Sequence, residues 1–245
     1  MLRLVRIPRL SEWIPETIYN WLKLIKMVWF PQPYEPEVCE TICLIVKPGW
    51  VCADVGANVG IITRILAKQV GPLGRVIAFE AFYKNAKFLS KFIELCGYAS
   101  RIKVENMAIS DGCQSEVYLY PGRESSDAEW NIIGHDLEGT AKEAVFRVPA
   151  TSLDHYFPPS SILNFIKIDI EGAESFVLQG MRRILRELRP IILIEFHDEA
   201  GWSGREELFS ASYNLYDMKG RQLDPNKDVQ RVYHCLAYPM EKKFF

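Results

Sequence analysis

Asp54-Val-Gly56-Ala57-Asn58-Val-Gly60 sets an acid, two glycines and a short polar side chain between an apolar run, 51–55, and an amphipathic stretch reaching Gln69. Glycine accepts positive φ and lets a ligand approach bare backbone. Asn58 is a favoured helix N-cap, and the helix start behind it would offer unpaired N–H groups. This arrangement suits a nucleotide-type cofactor. A second acid, Glu80, closes the apolar run 75–79, about 25 residues beyond the glycine turn, where a carboxylate can accept both ribose hydroxyls. Two further apolar runs end in titratable groups: Phe165-Ile-Lys167-Ile-Asp169 and Ile191-Ile-Leu-Ile-Glu195-Phe-His197. Period-two alternation puts Glu195 and His197 on one strand face and Lys167 on the same face as Asp169.

A dinucleotide site shares this outline, but a pyrophosphate wants G-x-G-x-x-G, with phosphate approaching a helix N-terminus. Here the pattern is D-x-G-x-N-x-G, and its leading acid is poorly suited to a diphosphate. An acid beside small residues better matches the cationic amino-acid end of S-adenosyl-L-methionine and its sulfonium neighbour. A nicotinamide-dependent oxidoreductase on a Rossmann sheet is the alternative enzyme class. A non-catalytic module binding S-adenosylmethionine is the alternative outside catalysis.

These residues must be held by an alternation of strands and helices. Apolar spacing predicts helices over 37–46, from Gly60 to Gln69, over 85–96, 174–187 and 205–211. Strands are expected at 51–55, 75–80, 102–109, 165–169, 191–195, 214–218 and 232–238. Two strand-like pieces, 116–120 and 144–148, flank a polar loop. The alternation implies an α/β fold with a mostly parallel sheet and helices on both faces, its ligands bound beyond the carboxyl ends of the strands.

At this point the residues carry a resemblance. Asp54–Gly60, Phe79-Glu80-Ala81, Asn106-Met107-Ala108-Ile-Ser-Asp111 and Ile166-Lys-Ile-Asp-Ile-Glu-Gly-Ala-Glu174 resemble, in the expected order, the FkbM family of S-adenosylmethionine-dependent methyltransferases. The similarity runs from about Lys47 to His197. The first motif indicates only a class I methyltransferase; the IKIDIEGAE block followed by IILIEFH is more specific. The resemblance implies a Rossmann-like class I methyltransferase fold with a seven-stranded sheet, and O-methylation of a small-molecule, sugar or glycan hydroxyl. It implies cofactor contacts at Asp54, Gly56, Ala57, Asn58, Gly60, Glu80, Ala81, Met107, Ala108 and Asp169. The family often has proline where Ala81 stands, and its shared pattern does not include the N-terminal segment.

Methyl transfer requires the protein to orient the acceptor oxygen and manage its proton. Asp169, Glu195 and His197 end neighbouring strands of such a fold, so they are the expected catalytic group, with His197 or Glu195 as general base. The same three side chains could hold a divalent ion as Lewis acid. No adjacent Asp-Asn or Asp-Asp pair follows the 191–195 strand, so the favoured reading has no metal. Lys167 is expected to pair with strand-end carboxylates. Glu171 and Glu174 suit the positive end of the helix that follows. His155 and His234 read as structural, and His135 lies in a loop placed to cover the acceptor.

The 245-residue chain carries a net charge of −2 and a pI near 6.1, which argues against a general nucleic-acid binder. Its six cysteines, Cys39, Cys43, Cys52, Cys96, Cys113 and Cys235, include no CxxC pair, so reduced thiols in a cytoplasmic protein are expected. Residues 1–36 form an aromatic and basic helical extension before a methyltransferase domain spanning 37–245. Lys23 and Lys26 interrupt its apolar run, making a signal peptide or spanning helix an unsuitable reading. Residues 1–30 instead suit packing against a second subunit or the protein's own core, or peripheral contact with an anionic membrane.

Overall fold

The computed structural model describes residues 16–29, 34–121, 130–133, 146–197, 199–224 and 234–242. The chain divides into two units, Met1–Tyr34 and Glu35–Phe245. The described part of the first is a single helix, α1 (Glu16–Trp29).

The second unit begins with α2 (Pro36–Ile45), β1 (Val51–Val55), α3 (Ile61–Val70), β2 (Arg75–Phe79), α4 (Tyr83–Leu95) and β3 (Ile102–Glu105). Next come β4 (Ala108–Ile109), β5 (Glu116–Pro121), β6 (Trp130–Ile133), β7 (Phe146–Thr151) and α5 (Leu153–Tyr156). It closes with β8 (Phe165–Ile168), α6 (Glu174–Gln179), α7 (Arg182–Glu187), β9 (Ile191–Glu195), α8 (Glu199–Ser203), α9 (Arg205–Ser210), β10 (Tyr213–Asp217) and β11 (His234–Pro239).

Seven strands form one sheet in the order β10-β11-β9-β8-β1-β2-β3. All pair in parallel except β11, which is antiparallel to both neighbours. The expected seven-stranded, mostly parallel Rossmann-like sheet is therefore found. Its switch point lies between β1 and β8, where successive strands depart in opposite directions and ligands bind in such sheets.

Side chains of each central strand alternate between two hydrophobic clusters. Ala53, Val55, Ile166, Ile168, Ile192 and Ile194 pack with α6, α7 and α9. Cys52, Val76, Ala78, Phe165, Leu193 and Leu236 pack on the other face with α2, α3 and α4. Asp54, Glu80, Lys167, Asp169, Glu195, His197 and His234 all have the parity of this second face. Burial of the apolar partners thus fixes the register that lines up the polar ones.

Two expected elements are broken. Strand 102–109 stops at Glu105 because Asn106 turns the chain, its Nδ2 donating to the carbonyls of Glu80 (2.9 Å) and Ala81 (3.0 Å). Residues 108–109 then pair with β7 in a separate four-stranded sheet, β4-β7-β5-β6, which the sequence suggested only as two strand-like pieces. Helix 174–187 is split at Gly180-Met181. A Cβ on Gly180 would lie 2.1 Å from the Ser110 carbonyl oxygen, so only glycine allows this approach. α7 restarts with Asp154 capping it, its carboxylate accepting the N–H groups of Arg183 (2.8 Å) and Ile184 (2.9 Å).

Candidate active site

The glycine turn joins β1 to α3 through two positive-φ glycines, Gly56 and Gly60, and a positive-φ Asn58. Gly56 and Ala57 both donate N–H to the Phe79 carbonyl, tying the turn to the end of β2. A Cβ on Gly56 would lie 1.8 Å from the Asp169 carbonyl oxygen, so β1 and β8 approach here backbone to backbone. Asn58 is not the N-cap: Gly60 holds that position, and no side chain caps it. The left-handed backbone of Asn58 instead aims its N–H at Glu80 Oε2 (2.7 Å), while its side-chain carbonyl accepts from Asn85 (3.2 Å).

Glu80 also accepts from the N–H of Phe82 at Oε1 (2.9 Å). Burial pushes its carboxyl up to about 7, although both backbone donors pull the other way. Each oxygen takes one backbone donor and so keeps a second lone pair. Asp54 is fully buried; Oδ2 accepts from the Thr63 hydroxyl (2.5 Å), while Oδ1 has no hydrogen-bond partner among the described residues. Burial raises its pKa, against the pull of Lys167, its register partner on β8.

Lys167 is buried with Nζ 2.6 Å from Asp169 Oδ2. Burial opposes its charge, but the carboxylates of Asp169 and Asp54 hold the ammonium above its usual range. Burial opposes the Asp169 charge as well, yet Lys167 keeps that carboxyl below its usual range.

His197 stands among four acids. Nδ1 is 2.6 Å from Oε1 of Glu174, while Nε2 faces Glu171 (3.5 Å), Asp169 (3.6 Å) and Glu195 (3.8 Å). Against the effect of burial, these carboxylates, Glu174 foremost, raise the imidazole to about 9. Ligand atoms of Asp169, Glu195 and His197 all lie within 4.8 Å of one another, close enough to share one cation.

On the far side of Glu195, His234 Nε2 is 3.1 Å from Oε2 and 3.6 Å from a Glu35 oxygen. The first distance is that of an ion pair, without hydrogen-bond alignment. Burial again opposes the charge, and Glu195 with Glu35 lifts His234 to about 9.

The structure therefore brings Asp169, Glu195 and His197 together and sets Asp54, Gly56, Asn58 and Glu80 around the adjoining turn. Ala57 points into the core with α3, while Ala108 packs with the second sheet and Ala81 against it. Met107 is half-buried against the cluster under α6 and α7, and Gly60 meets Leu89. Glu174 does more than face the helix dipole: it is fully buried and bonded to His197. His234, read as structural, belongs to this charged group, and so does Glu35; cross-strand pairing of His234 with Glu195 was the missing signal. His155 is exposed on α5, and His135 lies outside the described residues.

Residues 54–218 match the model of the methyltransferase FkbM domain. The chain belongs to the FkbM methyltransferase family. Among curated proteins it is similar to the AMB antimetabolite synthetase AmbE of Pseudomonas aeruginosa, 26% identical over 216 residues covering 74% of this chain and 10% of that one. It is also similar to the 2-O-methyltransferase NoeI of Sinorhizobium fredii, 24% identical over 178 residues covering 68% and 71% of the two chains. It thus spans about a tenth of the first relative's length. A solved SAM-dependent O-methyltransferase from Thermotoga maritima shares the fold, with a TM-score of 0.50 at 14% identity, covering 95% of this FkbM chain and 74% of its own. The family is that of the FkbM methyltransferase domain, and the fold is the one that solved enzyme shares.

Proposed function

We propose that this FkbM-family chain transfers a methyl group from S-adenosyl-L-methionine to a hydroxyl of a small molecule, sugar or glycan. The observation that carries the reading is the convergence of Asp169, Glu195 and His197 beside the β1 glycine turn, so that proton-accepting groups adjoin the cofactor cradle. NoeI, a 2-O-methyltransferase by name, supports oxygen as the acceptor atom.

The residues fit the cofactor. The orphaned, fully buried Oδ1 of Asp54 suits a cationic amino group, and the remaining lone pairs of Glu80 suit two ribose hydroxyls. The Gly56–Gly60 backbone would lie along the cofactor. When bound, S-adenosylmethionine supplies an electrophilic methyl carbon on a sulfonium. The protein then has to hold an acceptor oxygen in line and receive its proton. The flanking acids hold His197 cationic at neutral pH, leaving two routes for that proton. It passes to Glu195 Oε1 directly, or to Nε2 after the imidazole has released its own to a neighbouring carboxylate. Lys167 keeps Asp169 ionised, and Glu174 fixes the ring.

A second reading rests on one observation, the 4.8 Å envelope around Asp169, Glu195 and His197: these atoms would hold a divalent ion that acidifies the acceptor hydroxyl. Base catalysis without metal remains the proposal.

The test is calorimetry with S-adenosylmethionine, S-adenosylhomocysteine and NAD, followed by an acceptor screen with labelled methyl donor. Binding of the first two and label in a hydroxyl-bearing product is the expected result. Tight NAD binding without either of the others would sink the methyltransferase reading.

A further inference from the structure

α1 presents an apolar stripe to solvent. Ile18, Trp21, Leu22, Ile25 and Trp29 are 46–74% exposed and recur at intervals of 3, 4 and 7 residues. At 100° per residue they cover an arc of about 100°, the width of one apolar helix face. Exposed Lys26 sits on the flank of that stripe, beside Tyr19. Along the sequence, Arg3, Arg6, Arg9, Lys23 and Lys26 outnumber Glu12 and Glu16, so residues 1–30 are net positive in a chain of net −2.

A helix of 14 residues is about 21 Å long and cannot cross a hydrocarbon core of about 30 Å. Among the described residues, none of the helices is long and apolar enough to do so. A helix with a tryptophan-bearing apolar face, a lysine on one flank and a net-positive surrounding sequence suits a lipid headgroup plane. A second copy of the chain is the poorer occupant. Pairing two such segments would bring like charges together, and the stripe offers on the order of 600 Å² against the roughly 800 Å² per partner of a stable interface. We propose that α1 seats the protein on an anionic membrane surface, with its Ile18–Trp29 stripe in the headgroup layer and its basic residues on the lipid phosphates. The proposal is independent of the methyl-transfer reading.

The experiment is co-sedimentation of the full chain with vesicles of phosphatidylcholine alone or containing phosphatidylglycerol, at low and high salt. The expected result is binding to the anionic vesicles only, weakened by salt and cut by about tenfold or more in a Trp21→Glu, Ile25→Glu variant. A Leu73→Glu variant, altered at an exposed leucine of the second unit, controls for loss of apolar surface in general and should bind like the wild type. Equal binding to neutral vesicles, no binding to either, or undiminished binding by the α1 variant would each overturn the proposal. So would a wild-type dimer in sedimentation equilibrium that the α1 variant converts to monomer, which would make the stripe an interface between copies.

Discussion

Glu174, wholly buried at the first position of α6, holds Nδ1 of His197 at 2.6 Å and thereby turns Nε2 toward Asp169, Glu171 and Glu195. A buried carboxylate in this role fixes the orientation of the charged ring, and fixes the tautomer once the ring has released a proton. His197→Ala should lower kcat by roughly 10²–10⁴-fold, the usual span for a group that moves a proton. Glu174→Gln keeps the shape but loses the charge, and should lower kcat by a smaller factor with S-adenosylhomocysteine affinity unchanged. Full turnover in both variants would remove the pair from the chemistry.

Exhaustive EDTA treatment discriminates between the two ways of activating the acceptor. Base catalysis predicts full turnover without added ions. Activity that vanishes and returns only with Mg²⁺ or Mn²⁺ would assign Asp169, Glu195 and His197 to a cation instead.

Glu80 gives a pH dependence with a definite sign. Folding lifts its carboxyl from 4.5 to about 7, so the stability it contributes is present below 4.5 and lost as pH rises to about 7. The upper bound on that loss is roughly 3 kcal/mol. Ribose hydroxyls donate to the ionised form, so cofactor affinity should rise with pH up to about 7 and then level off. In Glu80→Gln both slopes should flatten, and affinity at pH 8 should fall by about 1.5–3 kcal/mol. Calorimetric titration between pH 5.5 and 8 reads the affinity slope, and denaturant unfolding over the same range reads the stability slope, as order-of-magnitude tests of this linkage. Unchanged affinity with normal circular dichroism would place Glu80 outside the cofactor site.

Gly56→Ala should be among the most damaging single changes. Its φ of +82° is strained for any side chain, and the added methyl would meet the Asp169 carbonyl oxygen at 1.8 Å. A loss of about 3 kcal/mol or more follows if β1 and β8 must part. Thermal melting measures it, and a melting point within a degree or so of wild type would refute the close approach.

Asp154→Ala separates stability from function. It removes two charge-assisted bonds to the α7 N-terminus and should cost about 1–2 kcal/mol. Cofactor affinity should be unaffected, since α5 and α7 pack in the cluster on the sheet face opposite the one whose parity the strand-end acids share.

The strand-end acids could be read from the sequence because each closes an apolar run, and alternation places Glu195 with His197 before any coordinates are known. Contacts made across strands could not. The pairing of Glu195 with His234 depends on an antiparallel edge strand entering the sheet nearly forty residues downstream. Both broken elements have tertiary causes that local spacing does not encode: Asn106 finds its partners on β2's exit, and Gly180 finds the Ser110 carbonyl. Asn58 looked like a helix cap by residue type, but its N–H is committed to Glu80.

The way the second sheet is attached has a consequence for divergence. Ser110 donates to the Thr151 carbonyl, and Asp154 to that of Gly180, so the chain leaves for the second sheet and returns from it at nearly the same place. The intervening stretch is wired as a cassette with adjacent ends. Loop-closure entropy grows only slowly with the length of such an insert, so descendants can lengthen, shorten or rewrite it at little thermodynamic expense. Drift there meets the Glu80 end at Phe82, which packs among Val117, Leu119 and Val148 of the second sheet while its N–H holds the Glu80 carboxylate, so that single residue is where a changing insert and a constant turn have to agree.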